Sequence, residues 1–466
     1  MIKILRNFAY TITSNLLNFL VITLVTLIVP KIIGVSDYGY WQLYIFYTTY
    51  VGIFHLGWID GIYLRYGGKD YSKLDFDMLK SEIIYFSFFQ LIVAVLFLMS
   101  IHIFSTGNTG FILNMTVCYL FLTNIRQLFL YILQDTSRIK EYATIIIFDR
   151  IIYIIIIVLA LFIGVKAYQV LILGDLIAKL LSLFYVIYIC RELFSGKLLS
   201  HSLILNDIKS NISIGSKLLI ANFAGTLIVG VIRYGIKYGW GVKTFGKIAL
   251  TLSISNALML FITAISLVLF PMLRKVNKAK LNLLYIDFRE LLMLILFFCL
   301  CFYFPLDTFM VRWLPKYQDA LKYLSFLFPI FIYEGKFDLL VNTFMKTLRM
   351  EKLLLITNMV SLVISVIVTL LNLFLIHNLD FMMLSVIIIL AFRSTLGELI
   401  VTNKMNIHIL KDVVLEFAIL GIFIFGTWLL NDLQAFLLYI VVMMAYLLIK
   451  LKFVLASYYR LIKIDY

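Results

Sequence analysis

Charge is what this sequence has least of. Only 14% of its 466 residues are Asp, Glu, Lys or Arg, against about 25% in soluble domains, while 63% are hydrophobic. That balance excludes a water-soluble globular protein. Cysteine is also sparse: Cys118, Cys190, Cys299 and Cys301 lie in or at the ends of apolar runs, at spacings that match no metal or redox motif. They read as small apolar residues, and a disulfide framework is excluded. The five histidines, His55, His102, His201, His377 and His408, form no cluster, so no metal site is expected. His55, five residues before Asp60, is the one to test. Long polar segments are missing as well. No connection between apolar runs exceeds about 25 residues, which leaves no room for a nucleotide-binding or sugar-transferring domain. We therefore expect no catalytic residue, no enzyme activity and no cofactor apart from a coupling ion, H+ or Na+.

What is present is a series of runs long enough to cross a bilayer, which takes about 20 apolar residues as helix. Fourteen are read, at 8–29, 38–60, 82–104, 111–134, 143–164, 168–190, 213–235, 246–271, 289–306, 320–341, 354–376, 380–402, 414–430 and 433–452. The first is too long for a signal peptide, and no small-residue cleavage site follows it before Pro30, so it is expected to stay as a helix. The expected fold class is an all-α polytopic membrane protein.

The formal charge of +15 follows the membrane rather than pointing to nucleic acid. With the N-terminus inside, the cytoplasmic segments hold 25 of the 40 Lys and Arg. The outer segments hold seven: Lys31, Lys166, Lys237, Lys243, Lys247, Arg312 and Lys316. This asymmetry predicts that both termini are cytoplasmic.

A repeat divides the chain. Gly34-Val35-Ser36-Asp37-Tyr38-Gly39 returns, 207 positions later, as Gly241-Val242-Lys243-Thr244-Phe245-Gly246, and at that offset Asn15 meets Asn222. Six spans separate the copies, so both units share one orientation, a parallel repeat. The expected organisation is an N-lobe over 1–200, a C-lobe over 205–410, and two appended helices with a cytoplasmic tail over 411–466. Transporters built from repeats bind substrate between the repeats near the bilayer midplane.

Several spans carry a cation near mid-depth, at a cost of ~2.5–3.5 kcal/mol each on insertion scales. These are Arg126, Arg150, Lys179, Lys217, Arg233 and Arg393. The functional explanation is a cationic cavity that receives phosphate oxygens, which a guanidinium engages through two parallel hydrogen bonds. The competing explanation is internal neutralisation or snorkelling. Asp175 and Lys179, four apart on one helix face, look like an internal pair. Lys217 and Arg233 stand toward opposite ends of one span. Arg126 and Arg393 have no opposite charge three or four positions away. The acids Asp60, Asp149, Asp175, Glu334 and Glu398 are candidate counter-ions or carriers of a coupling proton.

Two motif matches fail on context. Gly241-Val242-Lys243-Thr244-Phe245-Gly246-Lys247-Ile248 resembles a phosphate-binding loop but lacks the final Ser or Thr, follows no strand and is expected to face outward. Asp75-Phe76-Asp77 resembles a glycosyltransferase acidic pair, without an α/β domain around it.

Other residues carry a family likeness. Asn7, Asn15 and Asn18 precede Gly34-Val35-Ser36-Asp37-Tyr38-Gly39-Tyr40-Trp41. Then come Gly57-Trp58-Ile59-Asp60-Gly61 with Arg65, and Gln134 and Tyr142 around a turn. In these features the chain resembles the polysaccharide flippases of the multidrug/oligosaccharidyl-lipid/polysaccharide exporter superfamily. The resemblance implies two six-helix lobes in a V, often with two extra helices. It also implies translocation of undecaprenyl-diphosphate-linked oligosaccharides across the bacterial cytoplasmic membrane by alternating access. Capsule, exopolysaccharide or O-antigen assembly would consume the product. Partners would be the lipid-linked saccharide, membrane lipids and other polysaccharide-assembly membrane proteins. The peptidoglycan-precursor flippases of this superfamily carry basic residues in their first helix. Here none lies between Arg6 and Lys31, which counts against lipid II. Two rival functions are kept: an organic-cation or multidrug exporter of the same fold, whose cavity would be acidic or aromatic, and a polysaccharide polymerase or ligase, which would need a larger outer loop than the longest one here, about 13 residues.

Overall fold

A computed structural model of the chain describes residues 25–257 and 281–462, together with the isolated positions 23, 259 and 262. The described residues contain helices and turns and no strand. The helices are α1 (Val35–Thr48), α2 (Trp58–Tyr66), α3 (Phe76–Phe104), α4 (Gly107–Asp135), α5 (Ile139–Phe162), α6 (Tyr168–Ile189) and α7 (His201–Asn256). After the gap come α8 (Leu281–Leu300), α9 (Tyr303–Trp313), α10 (Ile330–Lys336), α11 (Thr343–Thr347), α12 (Glu351–Leu371), α13 (Leu379–Lys404), α14 (Leu410–Leu429) and α15 (Asp432–Ile462).

Ten helical stretches among the described residues are long and apolar enough to cross a bilayer. The protein is a multi-pass membrane protein. Its surface agrees: Phe104 and Phe162 are 83% and 89% exposed, and α3, α5 and α12 turn most of their apolar side chains outward. Lipid accommodates such a surface, because hydrocarbon is as apolar as the side chains it meets. By contrast α4, α6 and α13 are more than half buried and form the centres of their units.

Four expected spans differ from simple helices. The span at 38–60 is α1, a tight turn over Val51–His55 and α2. The span at 320–341 is broken into single turns, α10 and a wide π-turn at Phe337–Asn342. The spans at 213–235 and 246–271 are drawn together as α7, interrupted at Gly241, whose φ of 79° breaks the helical path. The run at 8–29, with Asn7, Asn15 and Asn18, lies outside the described residues except for its last few positions, as does the end of the run at 246–271.

The break between α1 and α2 has a visible repair. Leu56 and Gly57 both adopt left-handed backbone, which frees carbonyls that hydrocarbon cannot hydrate. The Gln90 amide of α3 donates to the Phe54 carbonyl at 3.1 Å, and the Asn124 amide of α4 donates to the Val51 carbonyl at 3.3 Å. Asn124 also donates to Gln90 at 2.9 Å, and both side chains are buried.

The chain forms two compact units, Met1–Phe223 and Ala224–Tyr466. In the first, α2 crosses α7 in backbone contact. A Cβ on Gly61 would stand 2.1 Å from the Asn211 carbonyl oxygen, and one on Gly215 would stand 2.0 Å from the Gly57 carbonyl oxygen. No other residue fits at these two positions without separating the helices.

Candidate functional site: buried charge clusters

The first unit gathers its charges where α4, α5 and α6 meet. Lys179 of α6 donates to both oxygens of Asp149 of α5, at 2.9 and 2.7 Å, and stands 3.4 Å from Asp175. Arg126 of α4 donates through Nε to the Ser182 hydroxyl at 2.8 Å and reaches Asp149 at 3.7 Å. The Tyr44 hydroxyl of α1 donates to Asp175 at 3.0 Å. Arg126, Asp149, Asp175 and Lys179 are all buried. Arg150 adds its field to Asp149, and its Nε is shielded from solvent without a hydrogen-bond partner. Three cations thus stand against two carboxylates. Buried donors normally find partners, so a guanidinium nitrogen left open beside a positive surplus is suited to an anion.

In the second unit Arg393 of α13 donates to Glu334 at 3.0 and 3.1 Å and to the Asn358 amide oxygen of α12 at 2.9 Å. Its guanidinium lies 3.7 Å from the centre of the Phe337 ring, in cation–π geometry. Gly225 makes room for it, since a Cβ there would stand 3.0 Å from the guanidinium.

A second charged assembly in that unit was not named from the sequence. Lys336, 1% exposed, donates to Glu398 at 2.8 Å and to Glu416 at 2.7 Å. Arg289 donates to Glu398 at 2.7 Å and to Glu416. Lys450 extends the assembly by bonding Glu290 at 2.6 Å and Asp412 at 2.7 Å. The members come from α8, α10, α13, α14 and α15, so the charges tie the last two helices to the rest of the unit. Glu398, a candidate counter-ion, belongs here. The signal in the sequence was Arg289 at the edge of one apolar run, counted with the cytoplasmic cations, and Glu416 near the start of another.

The remaining candidates are dispersed. Lys217 occupies an exposed position on α7. Arg233 is half-buried, with its guanidinium 5.4 Å from the centre of the Phe245 ring. Asp60 sits at the start of α2, 3.8 Å from His55 Nδ1, and one of its buried oxygens has no hydrogen-bond partner. His55 Nδ1 accepts from the Gly57 amide at 3.1 Å, so the His55–Asp60 contact belongs to the helix break. Asp75 accepts from the Met78 amide as the N-cap of α3, and Asp77 accepts from the Lys197 amide at 2.6 Å; both serve local structure. The four cysteines are free thiols. Among the described residues no group of three or more His, Cys, Asp or Glu could hold a metal ion.

The fold has counterparts among solved structures. One is an inward-facing multidrug resistance MATE family transporter of the MOP superfamily, with a TM-score of 0.59 and 12% identity over 84% of this chain and 98% of that one. Another is the lipid II flippase MurJ in an inward closed conformation, with a TM-score of 0.60 and 13% identity over 97% of this chain and 100% of that one. No protein-family model matches the sequence, and no curated protein matches it. The chain therefore shares the fold of these transporters, and the likeness does not reach to substrate.

Proposed function

We propose that this protein is a flippase that carries undecaprenyl-diphosphate-linked oligosaccharide repeat units from the inner to the outer leaflet of the bacterial cytoplasmic membrane, by alternating access, for surface-polysaccharide assembly. The observation that carries the proposal is the cluster at Arg126, Arg150 and Lys179. It places a surplus positive charge and an unpartnered guanidinium nitrogen inside a membrane unit, where charge is costly to keep. A diphosphate supplies the missing acceptors and the missing negative charge. Fold kinship with the lipid II flippase MurJ supports movement of a lipid-linked diphosphate, while the lack of a basic cluster in the first span argues for a different saccharide. Fourteen spans, in two parallel six-helix lobes with two appended helices, remain part of the same reading.

An organic-cation exporter is the second reading, because the MATE transporter is a comparably good structural match and Asp60 holds an unpartnered carboxylate oxygen. Binding by the purified protein in nanodiscs separates the two. Undecaprenyl diphosphate bearing a saccharide is expected to bind, and Arg150→Ala to weaken it. Binding of lipophilic cations alone, with no response to Arg150→Ala, would overturn the flippase reading.

A further inference from the structure

Glu82 of α3 is buried as deeply as any carboxyl in the first unit, 1% exposed, and it takes no part in the cluster around Asp149. Its oxygen Oε1 accepts from the Asn211 amide of α7 at 2.6 Å. The same Asn211 nitrogen lies 3.4 Å from an oxygen of Asp207, one turn earlier on α7, so two carboxyl groups share one amide donor. Among the described residues the cation at this place is Arg65 of α2, and it is engaged with Asp207 at 2.8 Å and the Asn211 side-chain oxygen at 2.7 Å. Glu82 Oε2 is buried and lacks a well-aligned hydrogen bond, and the Trp58 indole N–H is the donor that faces this carboxyl.

Around Glu82, from α2 come Trp58, Arg65 and Tyr66; from α7 come Asp207 and Asn211. The helix α4 and the short turn Arg191–Phe194 bring Phe129, Ile132 and Leu193 into the apolar cluster around Leu79, Ile83 and Phe86 of α3. Among the described residues no second cation compensates Glu82. An ionised carboxylate buried beside another carboxylate, with an open oxygen and no cation of its own, is unfavourable, whereas a carboxylic acid there loses the charge and gains a proton to donate.

We propose that Glu82, linked through Asn211 to the Arg65-anchored Asp207, is a proton-binding site. The ligand is a proton rather than a sodium ion, and the site supplies the coupling ion for the transport reading above, on which only that consequence rests. The position gives the proton leverage. Asn211 is also the residue whose backbone oxygen packs on Gly61, so the site is built on the α2–α7 crossing. Loss of the proton places two like charges across the α3–α7 contact and loads that crossing.

The test needs no transported substrate. Infrared difference titration of the purified protein in lipid, from acid to alkaline pH, is expected to show a carboxylic-acid band that Glu82→Gln removes. Asp207→Asn should move its midpoint to lower pH by about a unit or more, because the neighbouring negative charge is gone. The Gln variant, which imitates the protonated acid, is expected to unfold at the wild-type temperature. A titration identical in wild type and Glu82→Gln would overturn the proposal. So would displacement of the band by sodium and not by potassium, which marks a sodium site. A fall in unfolding temperature on Glu82→Gln would overturn it as well, since that marks Glu82 as an ionised partner. A flipping assay that fails while the band behaves as described refutes the transport reading and leaves the proton site standing.

Discussion

Replacing Lys336 with Met removes one charge from the most deeply buried ionic assembly in the second unit. Lys336 is 1% exposed and Glu398 is 0% exposed, and the ammonium serves both Glu398 and Glu416 at 2.8 and 2.7 Å. Without it the two carboxylates keep Arg289 as their cation, with the Tyr285 hydroxyl donating to Glu398 at 3.4 Å. Removing one partner of a buried ion pair typically destabilises by about 3–5 kcal/mol, because the remaining charge is stranded where water cannot reach. Met nearly fills the volume of the Lys stem, so a cavity contributes little and the loss reports the charge. The double variant Lys336→Met/Glu416→Gln removes one charge of each sign and should recover a large part of that loss, as coupled residues do. Unfolding of the purified protein in detergent, followed by heat or denaturant, measures both. A Lys336→Met protein that unfolds at the wild-type midpoint would refute the claim that this assembly holds α14 and α15 to the unit.

Gly61→Ala sets a methyl group 2.1 Å from the Asn211 carbonyl oxygen, so α2 and α7 must separate; a loss of ~1–3 kcal/mol is expected in the same unfolding measurement. Gln90→Leu keeps the volume and withdraws the donor from the Phe54 carbonyl, and should cost about 1–3 kcal/mol in that measurement. Arg150→Ala, Arg126→Ala and Arg393→Ala should each abolish export of surface polysaccharide at normal protein level. Of these Arg126→Ala and Arg393→Ala should also lower stability, because Asp149 and Glu334 lose a partner. Normal export by all three would refute the cationic site.

The apolar runs were legible because a bilayer demands a length of greasy helix that no soluble segment imitates. Arg126, Lys179 and Arg393 were legible as buried cations for the same reason, whereas Lys217 is exposed and Arg289 and Lys450, counted with the cytoplasmic segments, are buried. Their partners were not. Arg126 looked unpaired because charges three and four positions away on its own helix are all that a sequence displays, whereas its acid, Asp149, arrives from the next helix. Lys179 shows the same limit: its neighbour Asp175 was readable at helical spacing, yet its shorter bonds go to Asp149. Glu82, Gln90 and Asn124 passed unnoticed because nothing in their local pattern separates a buried polar side chain from an interfacial one. The stretch Gly57-Trp58-Ile59-Asp60-Gly61 carried a family likeness in the sequence, and the structure supplies a physical reason for its glycines: each seats a backbone of α7 that a side chain would displace.

The most direct measurement of the central claim is the leaflet distribution of lipid-linked saccharides in cells that make the surface polysaccharide, with and without this protein. The account predicts that cells lacking it hold complete diphosphate-linked repeat units on the cytoplasmic leaflet and lose the surface polymer. The wild-type gene should restore both, and Arg150→Ala should restore neither. Repeat units that reach the outer leaflet normally without the protein would contradict the account.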